Sequence, residues 1–530
     1  MIRTRACRRA LCLGLALGLA LGAAPGRAGE APQDPPYAAA VARRFPAPDV
    51  AYDTPGLQPG RSAWTDNAEL AERLRSLADA GAATLAEVGR SEAGTPLWAL
   101  FFTRAADPAA APGRRPVVLL VGQQHGNEPA GAEALLVVAQ RLADASSPLA
   151  AVLARVDVVV LPRANPDGAM LGRRRNAAGL DINRDHLRLQ TPEAQALAAL
   201  MQRLRPVLVV DVHEFVALSR HLPRFGGLKA HDMLLQYATT PNLPPALTQA
   251  AEAGFRAPLL QALADAGLRT EWYYTNPADE AALRLSMGGL QPDLARNAGG
   301  LRHAVSILLE SRGFDLGRHH ALRRVHSHVV AVGSLLASAA AQADTLQALQ
   351  ARLDAEVAAM ACQGEITLTE DHGREWRPLL LLDPETGADK PVLVEWRSAL
   401  HRLPLATRQR PCGYWLAADA GQVVQRLHRL GVQVRTLPAD QTLSIERYRP
   451  TALADGPAAG AGSPLPGPRQ VSVALERGSM GAPAGSFYVP LAQPLAHLVV
   501  AALEPDTPSS WFSHHLVGRL DMVRRVLAPP

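Results

Sequence analysis

A chain of 530 residues, 48% hydrophobic and 19% charged, can bury a large core and is too apolar to be disordered, so two domains are the prior expectation. The formal net charge is only +5, and Lys and Arg are scattered with few aromatics between them, which argues against a nucleic-acid partner. The first residues, MIRTRACRRALCLGLALGLALGAAPGRAGEAP, pass from a basic start through a short apolar run, Ala10 to about Ala24, to Gly26 and Ala28. That is the pattern of an export signal over residues 1–28, with a retained membrane anchor as the alternative. Cleavage would leave the mature chain periplasmic or secreted and free of the membrane. Of four cysteines, Cys7 and Cys12 leave with the signal. Cys362 and Cys412 remain, as one disulfide or as two buried thiols.

After a Pro-rich leader, DNAELAERLRSLADAG places apolar residues at helical spacing behind an Asp66 or Asn67 cap. Short apolar runs follow at Pro116 to Val121, Val156 to Leu161, Val207 to Val212 and Val305 to Leu309, with helical patterns at Ala130 to Ala145 and Pro192 to Leu204. Runs of this kind alternating with helices predict buried strands of an α/β sheet. His319 to about Ala361 reads as one or two long helices. Beyond it, RPLLLL, KPVLVEW, GYWLAA, VQVRTL, QVSVAL and SFYVPL are short strand candidates, interrupted by the low-complexity loop DGPAAGAGSPLPGP. The organisation expected is a signal at 1–28, a catalytic domain at 29–340 and a smaller β-rich accessory domain at 341–530.

Three of the apolar runs end in metal-capable or acid/base residues. VVLLVGQQH delivers His125 and, three residues on, Glu128; VLVVDVH delivers His213; VSILLE delivers Glu310. In open α/β sheets ligands bind at the carboxyl ends of strands, so these stretches converge in one crevice. Two imidazoles and a carboxylate suit a catalytic zinc, which takes about three protein ligands, and Glu310 is then placed to act as the base. An isolated HxxE pair is weak evidence, and the segment NPDGAMLGRRRNAAGLDINRD between the runs adds specificity. His125-x-x-Glu128, Asn165-Pro166-Asp167-Gly168, an Arg-x-Asn, Gly179-x-Asp181-x-Asn183-Arg184, His213 and Leu309-Glu310, in that order, resemble the zinc carboxypeptidases of the carboxypeptidase A type over roughly residues 65 to 330.

The resemblance implies a mixed, mostly parallel sheet with helices on both faces. It implies one Zn2+ held by His125, Glu128 and His213, with Glu310 activating the attacking water. Asn183 and Arg184 would hold the free carboxy-terminal carboxylate of a peptide substrate, in a buried setting where a guanidinium needs its anion. Arg174 would stabilise the oxyanion, with Arg173 and Arg175 as neighbouring registers, and Asp181 would orient His125. Asp167 and Asp181 also fit simple turn positions. Arg296 falls where relatives line their specificity pocket, as an inward cation suited to an acidic terminal residue or as an outward-facing arginine.

The chain departs from the pattern in places. The tyrosine that closes over substrate in pancreatic relatives is missing from LRLSMGGLQPDLARN, and neither Tyr273 nor Tyr274 is given that role. Asn183-Arg184 is followed by Asp185-His186. Glu214, on the opposite strand face from Asp211 and His213, reads as a hydrogen-bond partner and not a ligand. His319, His320, His326 and His328, and likewise His514 and His515, read as solvated faces. The leading expectation is an exported zinc exopeptidase. The alternatives are a zinc deacylase of the succinylglutamate desuccinylase and aspartoacylase type, an amidase acting on cell-wall peptides, and a binding protein on an inactive peptidase scaffold.

Overall fold

The computed structural model describes residues 36–103, 115–218, 222–276, 283–456 and 464–530. The export-signal segment, 1–28, lies outside the described residues. Strands β1 (Thr84–Arg90), β2 (Pro96–Phe102), β3 (Val117–Gly122), β4 (Asp157–Leu161) and β5 (Leu208–Phe215) are followed by β6 (Leu228–Lys229), β7 (Met233–Tyr237), β8 (Thr270–Trp272), β9 (Arg284–Ser286) and β10 (Val305–Arg312). Among the described residues the main sheet has the order β1-β2-β4-β3-β5-β10-β7-β8. Its centre, β4-β3-β5-β10, is parallel, while β1, β2 and β7 pair antiparallel to their inner neighbours.

Burial on both faces explains the unbroken apolar runs of the centre. Val118 and Leu120 point into a core with Leu135, Leu136, Val332 and Leu335, from the helices Ala130–Ala143 and Ala321–Ala341. Leu119 and Val121 point the other way, onto Leu197, Leu200 and Leu204 of the Pro192–Leu204 helix. The two-residue alternation of a strand thus assigns each side chain its layer. Asp66 caps the first of the long helices, Asn67–Asp79, in a reciprocal box with Glu69.

The carboxy-terminal part contains β11 (Glu365–Leu382), β12 (Asp389–Gln409), β13 (Gly413–Leu416), β14 (Arg435–Thr436), β15 (Gln441–Ala454), β16 (Gln470–Ala482), β17 (Phe487–Pro490) and β18 (Val523–Val526). The β11–β12 hairpin captures two short strands from the first part, giving the order β6-β11-β12-β9. The remaining strands form a sheet ordered β14-β17-β13-β18-β15-β16. Leu187, Leu189, Ala194 and Ala198 of the first part share a core with Tyr414, Leu427, Leu498 and Trp511. Cys362, just past the Ala343–Ala359 helix, is bonded to Cys412 ahead of β13. Closing that 50-residue separation stabilises by about 4 kcal/mol in the chain-entropy account. Among the described residues no single helix is long and apolar enough to cross a membrane.

Two elements depart from the expectation. The candidate VQVRTL pairs over only Arg435–Thr436, and the histidines after His319 do not form a solvated face. His328 is fully buried, His320 lies against the Tyr37 hydroxyl at 2.5 Å, and His326 lies 2.6 Å from the Tyr52 hydroxyl. The Ala321–Ala341 helix is an inner helix against the sheet, so its polar residues face protein on most sides.

Candidate active site

The carboxyl ends of β3, β5 and β10 meet at one edge of the sheet. The chain leaves β3 through Gln123, whose backbone is left-handed at φ 49°, and turns over Gly126. A Cβ at Gly126 would lie 1.9 Å from the Gly168 carbonyl carbon, so only glycine lets this loop press onto the Asn165–Gly168 turn. Asn165 fixes the approach by donating to the carbonyls of Gln124 (3.1 Å) and Arg174 (3.2 Å). That packing delivers His125 and Glu128 opposite His213 of β5.

The three side chains converge. His125 Nδ1 is 2.8 Å from Glu128 Oε1, His213 Nδ1 is 2.8 Å from Glu128 Oε2, and the two Nδ1 atoms are 3.0 Å apart. All three residues are buried, and their donor atoms lie within 4.8 Å of one another. Each ring is oriented through its other nitrogen. His125 Nε2 is 3.3 Å from Asp181 Oδ1, and His213 Nε2 is 2.9 Å from Asp211 Oδ1. Two imidazoles turned Nδ1-inward, each backed by a carboxylate at Nε2, form the support found behind histidines that bind a metal. The donor set fits zinc.

Electrostatics follow from this crowding. Burial raises Glu128, but the charges and hydrogen bonds of His125 and His213 outweigh it and hold the carboxyl below its usual range. Burial lowers His213, and Asp211 and Glu128 overcome this to hold it well above the usual imidazole range. Asp181 is raised by burial and drawn well down by His125 and Arg174. Glu310 sits beside His213 in the parallel ladder. Burial, reinforced by the Glu128 charge, pushes its carboxyl up to about 8, a range in which a group both accepts and returns protons near neutrality.

Arg174, not Arg173 or Arg175, faces this group. Its Nη1 is 3.1 Å from His125 Nδ1 and 3.6 Å from Glu128 Oε1, and its Nε donates to Asp181 at 3.1 Å. Arg175 instead donates to the Gly179 carbonyl, and Arg173 is exposed. Asn183 is buried; its Oδ1 accepts the Ala295 N–H at 2.8 Å and its Nδ2 lies 3.2 Å from His213 Nε2. Arg184 corrects an expectation: the residue is exposed and not buried, at the end of the short turn Ile182–Arg184, with its Nη1 donating to the Asn183 carbonyl at 2.7 Å. Glu214 takes no part in the donor group, accepting from Ala130 N–H (2.7 Å) and Arg324 Nε (2.9 Å) on the opposite strand face. Asp167 accepts from Ser91, Ala93 and Thr95, pinning the β1–β2 turn.

Asp211 and Tyr273 belong to the site neighbourhood, and the sequence alone gives neither of them a role. The Asp-x-His spacing on β5 was the available signal for Asp211, since residues two apart share a strand face. Tyr273, just past β8, lies beneath the buried Arg296, whose guanidinium carbon is 6.0 Å from the ring centroid. Arg296 points inward and donates to the Gly289 carbonyl at 2.7 Å.

The zinc carboxypeptidase family profile matches residues 72–219, which include His125, Glu128 and His213. Those residues form a zinc carboxypeptidase domain. The chain therefore carries a metallocarboxypeptidase hydrolase domain, and the His125, Glu128 and His213 group fits the zinc that such domains use. Carboxypeptidase 2 of Trichophyton rubrum is 29% identical over 402 residues, covering 76% of this chain and 74% of that protein. Among solved structures, a metallo-carboxypeptidase from Pseudomonas aeruginosa in complex with (2-guanidinoethylmercapto)succinic acid is 20% identical, covering 53% of this chain and 69% of its own at a TM-score of 0.39. Carboxypeptidase A from Helicoverpa armigera is 17% identical, covering 53% of this chain and 75% of its own at a TM-score of 0.41.

Proposed function

We propose that this metallocarboxypeptidase is exported and removes carboxy-terminal residues from peptides that end in a free carboxylate. The observation that carries the reading is the convergence of His125, Glu128 and His213 with Glu310 on the adjoining strand. Bound by the first three residues, zinc would supply the Lewis acidity that makes a water nucleophilic at neutral pH and polarises the scissile carbonyl. Glu310 takes the water's proton and returns it to the leaving amine, a role favoured by its burial. Arg174, anchored by Asp181, offers a fixed positive charge to the oxygen that becomes negative in the transition state. Asp211 and Asp181 fix the two imidazoles.

Arg184 and Asn183 hold the terminal carboxylate. Arg184 makes no ion pair among the described residues, and its planar fork suits a carboxylate. Its exposure gives that anchor less worth than a buried one, since solvent competes for both charges. Residues 341–530 act as an accessory domain packed on the catalytic one, and the basic and apolar leader 1–28 directs the chain to the periplasm or beyond the cell. One peptide offered as free acid and as carboxy-terminal amide tests the reading, with products identified by mass. The free acid should lose single terminal residues, with kcat/KM at least tenfold above the amide. Equal cleavage of both forms, or internal fragments, would contradict carboxypeptidase action.

A further inference from the structure

The loop that carries Asp181 and Arg184 has a second side. A cavity of about 430 Å3 opens against it, with Arg184, Arg188 and Gln190 on the near wall and His514 and His515 of the carboxy-terminal segment on the far wall. Arg188 and His514 join the walls, with Arg188 Nη1 3.1 Å from His514 Nδ1. The Arg188 Nε is buried and has no hydrogen-bond partner.

The acidic groups of this wall are already engaged. Asp181 serves His125 and Arg174. Asp185 accepts from the Gln190 and Thr191 N–H groups and the Thr191 hydroxyl at 2.7 to 2.8 Å. Asp293 lies 3.1 Å from Arg188, is buried and is not part of the cavity lining. Burial, with the Arg188 charge, brings His514 down to about 4, so it is neutral near pH 7 and accepts from Arg188 at Nδ1. The cavity therefore presents guanidinium donors with few free acceptors. It is also larger than one side chain, within the ~300–1,000 Å3 range of small-ligand sites. Arg296 is not part of its lining. A carboxylate is the group that such a wall binds, through charge-assisted hydrogen bonds.

We propose that this cavity is a substrate subsite for acidic side chains, built jointly by the Arg184–Arg188 loop and the carboxy-terminal segment, so that the enzyme selects peptides carrying Asp or Glu near the cleaved end. The proposal rests on the carboxypeptidase reading and gives the carboxy-terminal segment a part in specificity.

The probes are Ala-Ala-Glu-Glu and Ala-Ala-Gln-Gln, which share one terminal carboxylate and differ only in side-chain charge. Binding is measured by calorimetry on the chelator-treated full chain, so the readout does not pass through hydrolysis. The acidic peptide should bind at least tenfold more tightly. His514→Glu, which sets a carboxylate against Arg188, should bring that preference below twofold, and Arg188→Gln should move it the same way. Equal binding of the two peptides by the unaltered chain, or a preference that survives both substitutions, would overturn the subsite. If the zinc-loaded enzyme hydrolyses neither peptide, the carboxypeptidase reading fails while the binding result still decides the subsite.

Discussion

Two regions of this molecule bury clusters of charge, and they do so in opposite ways. In the carboxy-terminal sheet, Glu504 accepts from Arg408 (2.8 Å), Arg525 (2.9 Å) and the Tyr414 hydroxyl (2.7 Å), and Arg525 also pairs with Glu446. Every charge there meets its opposite. At the strand ends of the first part, like groups face each other: two imidazole Nδ1 atoms 3.0 Å apart, and Glu128 close enough to Glu310 to raise it. Natural sequences resolve such conflicts unless function maintains them. Burial of charge thus does not mark the site; the crowding of like groups around one centre does.

The largest expected effect breaks the compensated side. Arg525→Met should destabilise the protein by ~3–5 kcal/mol in urea denaturation, because it removes the buried guanidinium that Glu504 and Glu446 share, leaving them only Arg408, the Tyr414 hydroxyl and the exposed Arg477, and should leave the zinc content per chain unchanged. A loss below ~1 kcal/mol would mean the cluster is not the tight network described. On the other side, Asp211→Ala removes the support behind His213. Zinc affinity, read by competition with a chromogenic chelator, should fall ~10- to 100-fold, the usual cost of losing such a partner. Unchanged affinity would dissociate Asp211 from the metal group.

Much of the first region was legible. Its strands are buried on both faces and read as continuous Val and Leu runs; those of β5 and β10 stop at His213 and Glu310, and that of β3 stops at Gly122, three residues before His125. Glu214 was separable from His213 by strand parity alone. Of the flanking β1–β2 pair, β1 is only half buried and carries no apolar run, whereas the PLWALFF run of β2 was legible and went unread. The β11–β12 hairpin was seen only at its apolar end. Its other half is held by cross-strand charge pairs such as Glu370–Arg402 and Asp371–Arg397, which look like solvent-exposed sequence. The histidines from 319 to 328 failed for a related reason: composition records polarity but not which helix face turns inward. The exposure of Arg184 was equally hidden, since it depends on how a three-residue turn leaves the surface.

A smaller effect sharpens the comparison through pH. Burial holds His497 neutral, lowering it to about 3, and neither ring nitrogen has a hydrogen-bond partner. Below pH 6.5 the unfolded chain takes up a proton there that the folded chain refuses until about pH 3. Stability is therefore lost as pH falls across that window, by up to ~1.4 kcal/mol per pH unit from this one group. His497→Leu should flatten the acid slope of the unfolding free energy by up to one proton. An unchanged slope would show that this ring is protonated in the fold.

The most direct test of the central claim is Glu310→Gln, read for zinc and turnover together. The amide keeps the shape of the carboxyl while removing its basicity, so metal analysis should still find about one zinc per chain, while kcat on a free-carboxylate peptide should fall by ~100- to 10,000-fold. Near-normal turnover in a zinc-loaded Glu310→Gln enzyme would contradict the account.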